Sequence, residues 1–235
     1  MSLQQSPRNE GSSPSVLGIL FSPGEEFERI REKPRFGVAL VTILVLSIVC
    51  QVFVGIALVE NPAYQEQYAL EEAGMSSEIV VVGVVIAMMI AGLFLIPITL
   101  LLRSLFHWLF ILLFRGEATF KQVFSLNTHL FILPVLSLFV YMIFLWATGG
   151  GGAEPELYPT SLAAFVPGEG FVGGLLSGIE IFAIWELILT AGGLAVIGGL
   201  SKGKGWTIAL IIFVATLLIT SGFEAVLDAA DTMTP

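Results

Sequence analysis

The sequence predicts an all-α membrane protein: a bundle of five transmembrane helices, N-terminus cytoplasmic and C-terminus outside, preceded by a short amphipathic interfacial helix. Three observations lead there. Apolar residues make up 56% of the 235-residue chain and charged ones only 12%, against about 25% charge in soluble domains; the mean hydropathy is +0.92. Five apolar segments reach the roughly 20 residues a helix needs to cross ~30 Å of hydrocarbon. Lys and Arg then sort to a single side of those five crossings, as residues retained in the cytoplasm do.

Residues 1–15, with several Ser, Gln and Pro, read as a disordered leader. Residues 16–34 form the interfacial helix. Ser22 is its N-cap, Pro23 suits the first helical position, and Glu25 completes an S-x-x-E capping box. Glu25 and Arg29 stand at i,i+4, and Val16, Leu17, Leu20, Phe21, Phe27 and Ile30 offer apolar anchors that lay the segment along the inner surface. Arg29, Arg31, Lys33 and Arg35 then face anionic headgroups, at about 1 kcal/mol per charge. That is the pattern of an ordinary positive-inside anchor or of a partner-docking helix. Pro34 ends it, because proline disfavours helix in the residue before it.

The transmembrane domain, residues 35–228, holds spans at about 36–59, 79–114, 124–147, 176–200 and 206–228, with 229–235 as a tail. The first apolar run lacks a small-residue cleavage pattern and is read as a retained span. Its Cys50 is the single cysteine, so no intramolecular disulfide can form. The second run is long enough for two short spans split at Pro97 or for one long helix. Charge decides. With five spans, Arg8, Arg29, Arg31, Lys33, Arg35, Arg115, Lys121, Lys202 and Lys204 share one face. The other face, 60–77, 148–175 and the tail, has no Lys or Arg but carries Glu60, Glu66, Glu71, Glu72, Glu154, Glu156, Glu169, Asp228 and Asp231, with Glu78 at its edge. Splitting the second run would send Lys202 and Lys204 to the wrong side. The outer loop 148–175, opening with GGGG and holding Pro155, Pro159 and Pro167, reads as irregular, with Leu162–Val166 able to touch the membrane.

Ionisable groups at bilayer depth are costly and mark functional hypotheses. Arg103 lies in the inner half of the long second helix, with Thr99 and His107 at i−4 and i+4 on the same stripe. Glu186 sits mid-span in the fourth helix, with Thr190 one turn on. The depths of Arg103 and Glu186 differ by only about 5 Å at 1.5 Å per residue, which predicts a buried bond between them of the bidentate kind Arg favours. The pair is either a structural staple or part of an ion or proton relay with His107 and His129. Glu180 is placed at headgroup water, Glu224, Asp228 and Asp231 as solvated helix-end acids, and Asn127, Thr128 and His129 at the inner interface. Small residues at four-residue spacing, Gly83, Ala87 and Ala91 in the second helix and Ala191, Ala195 and Gly199 in the fourth, read as packing ridges within the chain ahead of a dimer seam.

Catalytic signatures are missing: no His/Glu metal motif, Cys cluster, Gly-x-Ser-x-Gly elbow or phosphate loop occurs, and no cofactor is expected. Gly168–Gly173 matches G-x-G-x-x-G literally, but no predicted strand precedes it. The basic residues serve topology and no aromatic-basic platform accompanies them, so nucleic acid is not an expected partner.

Several stretches in order resemble the Yip domain family of polytopic membrane proteins, in its prokaryotic form. They are FSPGEEFERIREKP with Phe21, Pro23, Phe27, Ile30 and Pro34, then RGEATFKQ with Gly116, Phe120, Lys121 and Gln122. Pro134 follows in the third helix, then Ile184 and Trp185, and finally Leu200, Ser201, Lys202, Gly203 and Lys204. The likeness runs from about Phe21 to Gly222. It implies a five-helix bundle with a cytoplasmic N-terminus and a non-enzymatic role, since the eukaryotic relatives act in vesicle trafficking and membrane shaping and tend to associate with one another. Their Asp-Leu-Tyr-Gly-Pro motif is missing, and Thr128-His129 stands where Gly-Tyr is usual, so binding to Rab GTPases is not carried over. The expectation is a non-enzymatic protein of a prokaryotic inner or plasma membrane, whose partners are lipids, further copies of itself or other membrane proteins. The alternative is a small transporter or channel using Arg103, His107 and Glu186.

Overall fold

The computed structural model describes residues 13–61, 77–150 and 157–231, and every regular element among them is helical. In chain order these are α1 (Gly18–Phe21), α2 (Pro23–Glu32), α3 (Gly37–Val59), α4 (Ser77–Leu113), α5 (Phe120–Leu130), α6 (Ile132–Thr148), α7 (Gly170–Gly178), α8 (Ile181–Gly198) and α9 (Lys202–Asp231), with one 3-10 turn at Leu162–Ala164. Five stretches are long and apolar enough to cross a membrane: Gly37–Val59, Ile79–Leu113, Phe120–Thr148, Ile181–Gly198 and Lys202–Ala229. Residues 1–12, most of the α3–α4 connection with Glu66, Glu71 and Glu72, the stretch with Glu154 and Glu156, and residues 232–235 lie outside the described residues.

The second run is one continuous helix with Pro97 inside it, about 55 Å long at 1.5 Å per residue. The third span differs from its expected start at 124. It begins at Phe120 because Thr119 and Gln122 form a reciprocal capping box, Gln122 N–H donating to Thr119 Oγ1 at 3.3 Å and Thr119 N–H to Gln122 Oε1 at 2.7 Å. It then breaks at Phe131. Pro134 supplies no N–H for the carbonyl four residues earlier, which ends regular bonding there. The fourth span starts at Ile181 rather than 176, because Glu180 caps α8 by accepting from the Ala183 N–H at 3.2 Å. The described part of the loop that follows α6 is more regular than expected, since it holds the 3-10 turn and leads into α7, which packs along α9.

Three corrections concern the leading segment. Ser22 sits at the N-cap of α2, yet its side chain caps nothing; Glu25 turns to Arg29 instead, at 3.5 Å. Nor are Phe27 and Ile30 free to anchor the segment in lipid. They are 4% and 0% exposed and join Leu126, Leu130, Leu194 and Ile197 in the main core. The approach is close because Gly192 and Gly193 face the Phe27 ring, where an added Cβ would sit 3.4 and 3.2 Å from ring carbons. Residues 13–15, placed with the disordered leader, are tied down: Arg35 Nη1 donates to Ser13 Oγ at 2.9 Å and the Ser15 N–H donates to Glu26 Oε2 at 2.8 Å.

Of the two small-residue ridges, the fourth-span one is a packing face. Ala191 and Ala195 meet Gly205 of α9, where a Cβ would collide with the Ala191 carbonyl. The ridge in α4 is not, for Gly83 and Ala87 are exposed, and α4 instead meets α3 through Gly92 beside Gln51. Large apolar side chains such as Phe94, Leu95 and Ile219 point out of the bundle, as lipid-facing residues do when the solvent is as apolar as they are.

Candidate functional site

Arg103 stands ten residues before Leu113, the C-terminal end of α4, and Glu186 twelve before Gly198, the C-terminal end of α8. At 1.5 Å per residue these are depths of about 15 and 18 Å. The two side chains meet: Arg103 Nη1 donates to Glu186 Oε1 at 2.5 Å. The bond has one prong, not the two that a bidentate pair would show, and the side chains are 24% and 11% exposed. The exposure opens onto a cavity of about 500 Å³ between α4, α8 and α9, lined by Thr99, Phe106, His107, Thr190, Phe213 and Thr216 among others. Thr190 is 2% exposed, and its hydroxyl has no hydrogen-bond partner among the described residues. The charge pair is thus in direct contact and also borders a cavity.

His107, expected on the intramembrane stripe of Arg103, bonds with Asn127, which was expected at the interface. Its Nδ1 faces Asn127 Oδ1 at 3.0 Å, and Asn127 Nδ2 donates to Ser104 Oγ at 2.9 Å. His107, Asn127 and Ser104 are at most 1% exposed. Thr128 and His129, also expected near headgroups, are fully buried and turn onto their own helix, Thr128 Oγ1 donating to Phe124 O and His129 Nδ1 facing Ser125 O, each at 2.7 Å. His129 is no part of the Arg103 cavity; it lies under the leading segment, near the Pro14 carbonyl and the Glu26 carboxylate. A relay through both histidines is not the arrangement found. Glu180, expected in headgroup water, accepts from Ser137 at 2.9 Å and Thr160 at 2.7 Å while capping α8, and so ties the loop before α7 to α6.

The second grouping is at the opposite end from Glu60, Glu169, Glu224 and Asp228. Three long-range bonds gather it: Gln122 Nε2 donates to Arg31 O at 2.6 Å, Lys204 Nζ to Phe114 O at 2.9 Å, and Glu117 N–H to Gly198 O at 3.1 Å. Gly116 permits the last of these, since a Cβ there would lie 2.8 Å from the Gly198 carbonyl. Arg31, Lys33, Arg35, Arg115, Lys121, Lys202 and Lys204 are exposed on this end, with Phe21 beside them at 83% exposure and Pro23 and Pro34 half-buried. Arg29 is held back from it by Glu26 at 2.6 Å. Buried Glu26, which also holds Ser15, was not singled out from the sequence; an acid on the apolar side of an amphipathic helix was the available signal.

A five-span helical bundle that, among the described residues, holds one charge pair inside it and its other cations at one end is a multi-pass integral membrane protein. The chain belongs to the Yip1 domain family, whose model matches residues 17–223. It is 30% identical over 232 residues to Membrane protein YknW of Bacillus subtilis (strain 168), covering 94% of this chain and 96% of that one. No solved structure matches it.

Proposed function

We propose that the protein is a non-enzymatic organiser of a prokaryotic inner or plasma membrane, gathering anionic lipid, and through it partner membrane proteins or further copies of itself, at its basic cytoplasmic end. One observation carries the reading. Helix α2 is docked on α8 and α5 by Phe27 and Ile30, so the exposed cations of three separate segments stand as a fixed cluster and not as a loose tether. A fixed cluster attracts anionic headgroups additively, within the reach of salt screening. The test uses the full-length protein in vesicles of mixed phosphatidylglycerol and phosphatidylcholine, reading energy transfer to a labelled lipid of either kind. The anionic probe should be enriched around the protein, at least about five-fold weaker after reversal of Arg31, Lys33 and Arg35 to Glu, and should fall with added salt. Equal enrichment of both probes refutes the proposal.

A second reading, a small transporter or channel, is favoured by the cavity that reaches Arg103 and Glu186. Proteoliposome flux decides it: a pathway loses flux in Glu186→Gln while the protein stays folded, and absence of flux in the unaltered protein refutes it.

A further inference from the structure

We infer that the cavity between α4, α8 and α9 is a binding site for an uncharged single-chain lipid bearing a hydroxyl or carbonyl oxygen, which enters sideways from the bilayer. Four observations converge. The volume, about 500 Å³, is in the range of small-molecule sites. Most of the wall is apolar, and its rim residues Leu102 and Phe106 are each 52% exposed on a helix that faces lipid. A chain can therefore slide in without crossing a polar barrier.

The remaining two observations choose the head. A guanidinium has five N–H donors, and among the described residues Arg103 uses only Nη1, toward Glu186. Its other donors are left without an oxygen at a depth where hydrocarbon supplies none. The hydroxyl of Thr190, on the same cavity and buried, is likewise unmatched. An oxygen of a ligand would satisfy both. Because Glu186 already balances the charge of Arg103, a second full anion would leave the site net negative in a low dielectric, which disfavours a carboxylate or phosphate head. The site thus selects for an oxygen that carries no charge. This inference does not depend on the basic end, and a failure of either leaves the other standing.

The experiment uses a photoreactive, diazirine-bearing 1-monoacylglycerol and the full-length protein in lipid nanodiscs, with labelled peptides mapped by mass spectrometry. Saturable labelling of α4 and α9 peptides around Phe106 and Phe213, competed by unlabelled 1-oleoylglycerol but not by hexadecane, is the supporting result. Thr216→Trp, at the exposed rim, should abolish the labelling. Val214→Trp, on α9 outside the cavity lining, should leave it unchanged, and the melting temperatures of both variants report that they remain folded. Thr190→Val should weaken half-saturation by about three- to ten-fold, the worth of one hydrogen bond. Labelling that does not saturate, that survives Thr216→Trp, or that hexadecane competes equally well overturns the inference. So does stronger competition by oleate at a pH where it is ionised.

Discussion

Removing either partner of the Arg103–Glu186 pair should destabilise the protein far more than removing both. The substitutions are Glu186→Gln, Arg103→Gln and the double variant. Breaking one side of a fully buried ion pair costs about 3–5 kcal/mol, because the survivor is left charged in a low dielectric. Here Arg103 is 24% exposed to the cavity and so is not fully enclosed, and about 2–4 kcal/mol is the expected loss for Glu186→Gln. Arg103→Gln strands Glu186, which is only 11% exposed, and should lie at the upper end of that range. The double variant carries no charge and should recover most of either loss, giving a coupling energy of about 2 kcal/mol or more. The assay is unfolding of the purified protein in mixed micelles by denaturing detergent, followed by tryptophan fluorescence. Additive single losses, with coupling below about 0.5 kcal/mol, would refute the view that these two groups stabilise each other.

Phe27→Ala should cost about 3–5 kcal/mol and free α2, read as new trypsin cleavage at Arg29 and Arg31; an unchanged digest contradicts the docking. Gly205→Ala, whose Cβ meets the Ala191 carbonyl, should cost at least about 2 kcal/mol, whereas Gly203→Ala, with open space around it, should be neutral or stabilising by about 0.5–1 kcal/mol in the same detergent melt. Thr119→Val removes the α5 capping box and should cost about 1 kcal/mol in that melt. Burial, then the nearby Glu180 carboxylate, raises the phenol pKa of Tyr158 above its ordinary 10.0. The unfolded chain therefore releases this proton first, so stability should fall as pH rises past about 10, with a shallower fall in Tyr158→Phe.

The five crossings are legible in the sequence because hydrocarbon thickness imposes a run length that few other structures need, and because cations mark the ends of the runs. The same ruler placed Arg103 and Glu186 at similar depths. What a ruler cannot supply is rotation about each helix axis. That is why Asn127 and His129, correctly placed along the chain, were given to the interface when they point inward. An amphipathic pattern likewise announces that α2 hides one face without saying what hides it; glycines 192 and 193, far away in sequence, decide that protein and not lipid does so. Local signals fared unevenly. Ser22 has the pattern of a capping box without its bonds, while Thr119 and Gln122 have both, though only Gln122 had been singled out, for its likeness to a family.

The 83 residues that separate Arg103 from Glu186 have a consequence for biogenesis. Chains leave the ribosome N-terminus first, so α4 is already in the bilayer when α8 emerges. Helix α8 has the lowest mean hydropathy of the five spans, 2.0 against 3.1 for Ile79–Leu113, and an acid at mid-span raises its insertion cost by about 2.5–3.5 kcal/mol. A waiting guanidinium lowers that cost at the moment of insertion, so the last hairpin of the protein is handed into the membrane by a helix made long before it.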